Sequence, residues 1–589
     1  MKNIYLAQIN YTFSADVPYA YFPYSVGSLW AYANNDPIIA DNYSLAKFLY
    51  LNENIDAVVN SLDNPYLVGF SIYNWNTVYS LALAEAIKLK WPNCIIVFGG
   101  PNVPFNPESW LRYNTFINYA IIQEGEQSFH DLLIYLLDNN YVDITGVCYI
   151  KDGEYVYKPA ARFLTTDKLI SPYTSDLFAD VILDAKAKNL ILNAVIETDR
   201  GCPYQCTFCD WGSLTYQKVK QITLNRVFEE ITWCADNKIE LVQIANANFG
   251  IFINRDNAIV DYICTERVRT GWPKIFDGSW AKDLKPVHVA MVEKLFKHGL
   301  FRRFTAAVQS FNQDTLDIIK RKNITNLPNM VSLCREKGIP VSTELLLGLP
   351  GETAESFKKG IAYCIENNIV FYTSLLTTLQ NSEMNDQDYI DKYTIVTTQM
   401  RSDVGYYRDP EYLLTSHSLL SEVEYVDLVI WNLLVTHLYS YRTANHIIDA
   451  IVSRGYPIAD LLDTIVIALR ADSNIKHIID RYINHVKDGS TTELMVNSIT
   501  ALDIEILTCL YSLSHEQQLS WWKKIANVTI HDIINQDLSI NRSYNAFAAT
   551  YNNKTYTSEP IPARYPNWQT WLITTRWNNN AERQVKENT

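Results

Sequence analysis

Short apolar runs alternate with longer amphipathic stretches through the first 143 residues of the chain. The runs have the length and the Gly, Ser or Asn endings of buried strands, and they lie at 3–9, 66–73, 94–100 and 118–125. Helical periodicity occupies 77–91 and 126–138. Strands that alternate with helices predict a parallel sheet with right-handed crossovers, which is a doubly wound, Rossmann-like α/β domain.

A different pattern follows at 144–160, where two polar-apolar runs flank Asp152-Gly153. An Asp-Gly pair between such runs is typical of a tight β-hairpin turn. We expect this hairpin to close the first domain or to lead out of it, and we place the domain at 1–165.

A second series of strand and helix patterns begins near residue 189. Its six predicted strands lie at 193–200, 239–246, 274–280, 302–310, 341–349 and 369–376. Helical patterns separate them, including 222–236, 286–299, 312–321, 325–337 and 353–366. Repeated units of this kind predict a parallel barrel, complete or partial, and we expect a TIM-like (β/α)6 barrel over 189–384. Its catalytic groups should lie at the carboxyl ends of the strands.

Beyond about residue 385 the strand signals become rare. Long stretches such as 421–452 and 498–514 carry helical periodicity instead. We therefore predict a helical third domain at 385–589.

Composition describes an ordinary globular protein, with 48% hydrophobic and 19% charged residues. No apolar stretch reaches the roughly 20 residues of a membrane span, and the opening residues do not resemble a signal peptide. The net charge of −14 argues against a nucleic-acid partner. We expect a cytoplasmic protein whose thiols stay reduced, and clustered cysteines in that compartment favour metal binding over disulfides.

Three of the ten cysteines lie together in "RGCPYQCTFCDWGS" (200–213), as Cys202, Cys206 and Cys209. No fourth cysteine or histidine lies nearby to complete a tetrahedral zinc site. Three thiolates on one tight loop suit three irons of a 4Fe–4S cluster, whose fourth iron stays open for another ligand. Structural zinc and inert buried cysteines are the alternatives. The other seven cysteines are isolated in apolar stretches, as core residues are.

The spacing C-x-x-x-C-x-aromatic-C, with Phe208 as the aromatic residue, resembles the signature of the radical S-adenosylmethionine (SAM) superfamily. The resemblance implies that the open iron binds SAM and that the reduced cluster cleaves it to methionine and a 5′-deoxyadenosyl radical. It implies an external one-electron reductant of the flavodoxin or ferredoxin type. It also places Phe208 near the SAM adenine, although burial for packing is the alternative for this side chain.

Two downstream segments extend the resemblance. "NANFGIFINRD" (246–256) stands where the family has a Gly-Gly-Glu-like segment, so Asn246 and Asn248 become candidate SAM contacts although no Glu is present. "AAVQSFNQDTLDIIKRKN" (306–323) resembles the family's fourth-strand segment, which implies SAM contacts for Gln309 and Ser310. For this pair, capping of the next helix is the alternative.

The segment "ELLLGLPGET" (344–353) resembles the family's fifth-strand turn. Gly348 and Gly351 would permit positive φ or close backbone approach, and Thr353 is a natural N-cap. Asp277 and Glu344 lie in or just past predicted strands, so they are candidate catalytic residues for acid–base work or substrate binding. Structural hydrogen bonding is an equal alternative for both carboxylates.

The strand ends of the first domain are rich in small and turn residues. A doubly wound sheet binds ligands at this edge, where the candidate cofactor contacts are Ser71, Asn74, Gly99, Gly100, Glu124 and Gly125. The order of elements, with the segment 22–34, resembles the cobalamin-binding domain that precedes many radical SAM domains. No Asp-x-His-x-x-Gly motif is present, so no histidine ligand for cobalt is evident, and a merely structural domain is the alternative.

Together these resemblances, which cover about residues 1–380, imply a cobalamin-dependent radical SAM enzyme similar to class B methyltransferases. One SAM would methylate reduced cobalamin and a second would supply the radical for methyl transfer to an unactivated carbon. The alternatives are a radical SAM rearrangement, cyclisation or oxidation with cobalamin in another role or absent, and a non-catalytic cofactor-binding or sensing protein. No motif selects the substrate, whether small molecule or peptide.

Overall fold

A computed structural model describes residues 1–10, 18–138, 144–159, 166–211, 219–322, 327–399, 412–440 and 457–471, with single residues between 448 and 487. The predicted helix at 498–514 lies outside these residues, as does most of the predicted third domain.

The first domain is built on a seven-stranded sheet. Its strands are β1 (Lys2–Asn10), β3 (Tyr43–Leu51), β4 (Pro65–Ser71), β5 (Ile95–Gly99), β6 (Tyr119–Ile121), β7 (Val147–Lys151) and β8 (Glu154–Tyr157). The order is β3-β1-β4-β5-β6-β7-β8, parallel from β3 to β6. The predicted Rossmann-like sheet is therefore confirmed. The edge strand β3 is an element that the sequence pattern did not predict.

Helices cover both faces of this sheet. They are α1 (Tyr24–Ala33), α2 (Pro37–Asn42), α3 (Ile55–Ser61), α4 (Thr77–Lys90), α5 (Glu108–Tyr113) and α6 (Gly125–Tyr135). The predicted hairpin is present as β7 and β8, joined through Asp152 and Gly153 at φ +52° and +83°. Both residues have the left-handed backbone of a tight hairpin turn, and the hairpin extends the sheet by antiparallel pairing.

All six strands predicted for the barrel are present. They are β9 (Ile191–Ile196), β12 (Leu241–Phe249), β13 (Ile275–Trp280), β14 (Phe304–Gln309), β15 (Val341–Leu347) and β16 (Val370–Leu375). Hydrogen bonding divides them into two parallel sheets, one ending at β13 and one beginning at β14. A short strand from the first domain, β2 (Tyr19–Tyr21), pairs in parallel with β9. The chain thus contributes to the barrel before residue 165, where we placed the end of the first domain.

Helices follow the barrel strands as the pattern predicts. They are α7 (Ala179–Ala187), α8 (Leu224–Asp236), α9 (Ile253–Thr270), α10 (Pro286–Lys297), α11 (Gln313–Ile318), α12 (Leu327–Glu336) and α13 (Ala354–Glu366). Thr353 caps α13 by accepting a hydrogen bond from the amide of Ser356, which confirms the predicted N-cap. Gly348 and Gly351 have φ of +100° and +90°, again as predicted.

The chain after the barrel combines helices with a small sheet. The helices are a 3-10 turn (Glu383–Asn385), α14 (Gln387–Tyr393), α15 (Glu422–Val435), a π-helical turn (Thr436–Ser440) and α16 (Ile458–Ala471). Strands β17 (Thr377–Thr378), β18 (Val396–Gln399) and β19 (Tyr412–Ser416) form an antiparallel sheet that the sequence did not predict. Two further short strands, β10 (Asp199–Arg200) and β11 (Lys220–Gln221), pair beside the barrel.

One hydrophobic core joins the first domain to the barrel. It includes Leu6 and Trp30 on one face of the first sheet, together with Ile196 and Val242 of the barrel. The opposite face of the first sheet has its own core beneath α3, α4 and α5. Because apolar burial dominates stability, the shared core holds one face of the first sheet against the barrel. Among the described residues, no helix has the length and apolar character needed to span a membrane.

Candidate active site

The three clustered cysteines lie on the loop after β9 and β10, at the carboxyl end of the first barrel strand. Cys202 and Cys206 are each 5% exposed, and Cys209 is partly exposed. Gly201 has φ of +121° before the loop, and the Cys209 amide donates to the Cys206 carbonyl. The loop therefore folds back on itself and keeps its thiols in a sheltered position, where a catalytic group of a barrel belongs.

Nitrogen donors approach two of the sulfurs. The Asn248 Nδ2 donates to the Cys202 Sγ at 3.3 Å, and the Lys282 Nζ donates to the Cys206 Sγ at 3.2 Å. The guanidinium of Arg321 reaches the same Cys206 sulfur at 4.0 Å. Burial lowers the pKa of Arg321, but an arginine side chain stays charged in proteins. Two cationic side chains therefore face the sulfur of Cys206.

The donor set fits an iron–sulfur cluster. Each thiolate of such a cluster binds a different iron, and N–H groups around the sulfurs tune it. A structural zinc ion would instead require four ligands that converge on one point. Within the described ranges, no group of three or more His, Cys, Asp or Glu side chains is arranged to hold a single metal ion.

The two asparagines predicted to contact SAM lie on β12 but differ in their environment. Both polar atoms of the Asn246 side chain are hydrogen-bonded. Its Oδ1 accepts from the Thr198 amide at 2.9 Å, and its Nδ2 donates to the side chains of Thr198 and Asp199. The buried Oδ1 of Asn248 has no hydrogen-bond partner. An orphaned acceptor beside Cys202 fits a ligand that carries N–H donors, such as the SAM amino group.

The other predicted SAM contacts lie nearby, in more constrained surroundings. Gln309 ends β14 with φ of +68° and is 8% exposed. The hydroxyl of Ser310 donates to Glu352 and accepts from the Asn312 amide, so it also organises the start of α11. Phe208 packs against the small core formed by α11, α14 and their neighbours. The contacts of Ser310 and Phe208 are those of helix capping and of packing, the structural alternatives for these side chains.

Asp277 and Glu344 act on each other across the barrel. Burial raises the pKa of Glu344, and the charge of Asp277 raises it further while Arg321 lowers it. Burial likewise raises the pKa of Asp277. The pKa of Tyr21 rises to about 12 through burial, Tyr19 and Asp277. Two carboxyl groups and two phenols therefore share the barrel mouth, where the side chains of Asp277 and Glu344 stay exposed to solvent.

The predicted cofactor edge of the first domain is a compact polar surface. The Ser25 hydroxyl contacts Gln8, Ser71 and Tyr73 at 2.7, 3.2 and 3.1 Å. Tyr73 stacks on Trp75, with ring centres 4.5 Å apart, and Trp75 is 43% exposed. Asn74, which lies between Tyr73 and Trp75 in the sequence, is partly exposed. An open edge with an exposed aromatic platform fits a large planar cofactor such as cobalamin.

The glycines at this edge differ in what they do. Gly100 has φ of +102°, and a Cβ there would lie 2.5 Å from the Ile72 carbonyl oxygen, so only glycine fits this turn. Gly99 has ordinary space around its Cα, and Gly125 begins α6 against Leu29.

A histidine ligand for cobalt is not offered at this edge. Residues 42–133 contain one histidine, His130, on α6. Its ring nitrogens lie 2.9 Å from Asp36 and 2.8 Å from Asp131. His130 thus pairs with one carboxylate at the start of α2 and one on α6.

A buried ion-pair cluster links the first domain to the cysteine loop, and the sequence did not reveal it. Arg200 binds Glu126 in a bidentate manner at 2.8 and 3.2 Å and Glu197 at 2.8 Å. Glu124, predicted to contact a cofactor, lies 3.5 Å from Arg200 and 3.7 Å from Lys220. The carboxylates of the first domain therefore meet the arginine that directly precedes the cysteine loop.

Comparison with known proteins agrees with this arrangement. Residues 196–364 match the radical SAM superfamily, and residues 42–133 match the B12 binding domain. The chain therefore contains a radical SAM domain, with a B12-binding domain ahead of it. Its implied cofactors are a 4Fe–4S cluster, SAM and cobalamin.

Two similar proteins carry methyltransferase names. The chain is 31% identical over 392 residues to the cobalamin-dependent radical SAM methyltransferase TokK of Streptomyces tokunonensis, an alignment over 65% of this chain and 57% of TokK. It is 30% identical over 388 residues to the 2-(S-pantetheinyl)-carbapenam-3-carboxylate methyltransferase of Streptantibioticus cattleyicolor, with coverage of 65% and 57%. The match thus spans little more than half the length of these relatives.

Solved structures share the fold. The cobalamin-dependent SAM radical enzyme OxsB superposes with a TM-score of 0.55 at 14% identity, covering 98% of this chain and 84% of OxsB. The radical SAM methyltransferase TsrM from Kitasatospora setae, with cobalamin and a [4Fe-4S] cluster bound, gives 0.52 at 16% identity, covering 70% and 88%. At these identities the likeness establishes the architecture alone.

Proposed function

We propose that this chain is a cobalamin-dependent radical SAM methyltransferase that acts on an unactivated carbon of a small-molecule or peptide substrate. The observation that carries the proposal is the sheltered three-cysteine loop beside the open edge of the B12-binding domain. The methyltransferase names of the two similar proteins support the choice of reaction. An external one-electron donor would reduce the cluster.

When bound, the cluster and SAM supply a carbon radical, and cobalamin carries a methyl group. The chain's own residues bind and orient these groups. Cys202, Cys206 and Cys209 would ligate the cluster. The free Oδ1 of Asn248 would accept from the SAM amino group, and Gln309, Ser310 and Phe208 would line the rest of the SAM site.

Asp277 lies on β13 and Glu344 on β15, two strands of the barrel. Desolvation raises the pKa of both carboxyl groups above the usual range. We propose that they hold the substrate at the barrel mouth, or hold a proton next to it. Tyr21, brought in by the strand paired with β9, would complete this surface.

The test uses anaerobically loaded protein, a strong one-electron reductant and SAM with a deuterated methyl group. The proposal predicts both 5′-deoxyadenosine and S-adenosylhomocysteine. The first product reports reductive cleavage of SAM, and the second reports transfer of the SAM methyl group. Formation of 5′-deoxyadenosine alone would favour a non-methylating radical reaction. Absence of both products from fully loaded protein would support a sensing or cofactor-binding role instead.

Substrate-holding residues are tested separately once a methyl acceptor has been found by mass spectrometry. Asp277→Asn and Glu344→Gln should lower methylated product by about 100-fold if either group serves in proton transfer. SAM cleavage without substrate should persist. Glu355→Gln is the matched control, because Glu355 is exposed and pairs only with Lys359 on the surface. Unchanged methylation in both barrel variants would remove these residues from the site.

A further inference from the structure

A single side chain after the barrel is tied to a loop of the B12-binding domain. Asn381 follows β17 and is 9% exposed. Its Nδ2 donates to the carbonyls of Pro101 and Val103 at 2.7 and 2.8 Å, and its Oδ1 accepts from the Phe105 amide at 3.0 Å. One side-chain amide thereby satisfies three backbone groups of the loop after β5.

The segment from Asn381 through α14, called the connector below, also contacts the cysteine loop. The backbone N–H of Asn381 donates to the Asp210 carboxylate. The Met384 amide donates to the Thr207 carbonyl at 2.9 Å, and the Thr207 hydroxyl lies 3.1 Å from the Tyr389 hydroxyl. The connector therefore holds the cysteine loop at two points, one on each side of its third cysteine.

The base of the β5 loop is fixed as well. The Ile72 carbonyl accepts from the Asn102 amide at 3.2 Å, and the positive φ of Gly100 brings the loop against this strand end. A loop anchored at its base on β4 and at its tip on Asn381 has little freedom to move. It forms a rigid bridge between the cofactor edge of the B12-binding domain and the cysteine loop.

We propose that Asn381 is a positioning residue that fixes the B12-binding edge against the cysteine loop, and so sets the separation between bound cobalamin and the bound cluster. This inference rests on the proposed function, since it requires that both groups bind. Geometry at this scale matters because a shift of about 1 Å in a reacting pair can cost a hundredfold in rate. The Asn381 side chain acts through its hydrogen bonds to the β5 loop.

The test compares Asn381→Ala and Asn381→Ser with wild type in the full-length protein, loaded with cluster and cobalamin. Asn385→Ala is the matched control, because Asn385 lies on the same connector and its exposed amide donates to the Gln380 carbonyl. The readouts are iron content, cobalamin affinity and the magnetic coupling between the reduced cluster and Co(II) cobalamin by electron paramagnetic resonance. The coupling reports the separation itself, which a purely structural role would leave unchanged.

We expect both Asn381 variants to keep the cluster and to bind cobalamin about fivefold more weakly through loss of buried hydrogen bonds. The distribution of the magnetic coupling between cluster and Co(II) should be broader than in wild type. The control should match wild type. Wild-type coupling and affinity in the Asn381 variants would overturn the proposal, as would failure of both variants to fold, which would make Asn381 structural. If wild type binds no cobalamin, the proposed function fails first and this inference falls with it. If wild type binds both groups, only this inference is at stake.

Discussion

The ammonium group of Lys282 donates a 3.2 Å hydrogen bond to the sulfur of Cys206, although 76 residues separate them in the chain. Lys282 also lies over the ring of Tyr204, 4.3 Å from its centre, and this contact helps to hold the amine in place. A positive charge at a cluster ligand stabilises the reduced cluster more than the oxidised one, because reduction adds negative charge.

Lys282→Met should therefore lower the midpoint potential of the cluster, by on the order of tens of millivolts. An anaerobic redox titration followed by electron paramagnetic resonance measures this value. Lys285→Met is the control, because Lys285 is exposed and lies 3.5 Å from exposed Asp283. An unchanged or raised potential in Lys282→Met, with iron content intact, would contradict the role assigned to this amine.

Alanine at Cys202, Cys206 and Cys209 together should abolish iron and sulfide binding and all SAM cleavage. Cys334→Ala removes a fully buried core thiol on α12 instead and should retain the cluster. Metal analysis of the purified proteins distinguishes the alternatives. Zinc without iron or sulfide in the wild type, or SAM cleavage by the triple variant, would overturn the cluster assignment.

Glu126→Ala should destabilise the protein by about 3 kcal/mol, because it leaves the buried guanidinium of Arg200 without its bidentate partner. Lys359→Ala breaks an exposed pair with Glu355 and should change stability by less than about 0.5 kcal/mol. Urea denaturation of the two variants measures the difference. Equal stabilities would mean that the Arg200 cluster does not hold the two domains together.

The contacts of His130 predict a pH-dependent contribution to stability. Hydrogen bonds to Asp131 and Asp36 raise the pKa of His130, and the bond to His130 lowers the pKa of Asp36. The raised histidine pKa gives stability that is fully present below its unfolded value, about 6.5, and is lost as pH rises through the folded value. The lowered Asp36 pKa gives stability above about pH 4 that is lost as pH falls through the folded value.

His130→Gln should consequently lower stability most near pH 5–6, by about 1 kcal/mol because the pair is only partly buried, and least near pH 9. Melting temperatures across this range, with exposed His298→Gln as the control, provide the measurement. A difference that grows toward pH 9 would contradict the upward shift of the His130 pKa.

Much of the fold follows from local signals in the sequence. Apolar runs that end in glycine or serine predicted the central strands of both sheets, because buried parallel strands need such runs. The edge strand Tyr43–Leu51 was missed, since its mixed pattern becomes a strand only by pairing with β1. The pairing of Tyr19–Tyr21 with the barrel was missed for the same reason, because it joins segments about 170 residues apart.

In the candidate site, too, local features could be predicted from the sequence and non-local contacts could not. Three cysteines in one loop are a local motif and could be read directly. The side chains around them are non-local, since Arg321 lies 115 residues from Cys206 and Asn381 lies 280 residues from Pro101. No spacing rule in the sequence links such pairs, and only the folded barrel brings them together.

Cobalamin bound per chain, measured by absorbance after anaerobic purification from cells supplied with cobalamin, tests the central claim most directly. The account predicts about one cobalamin for each chain, with Gly100→Ala reducing it because a Cβ would collide with the Ile72 carbonyl. A protein that holds an intact iron–sulfur cluster but no cobalamin would contradict the account. The first domain would then be a structural support, and methyl transfer through cobalamin would have to be abandoned.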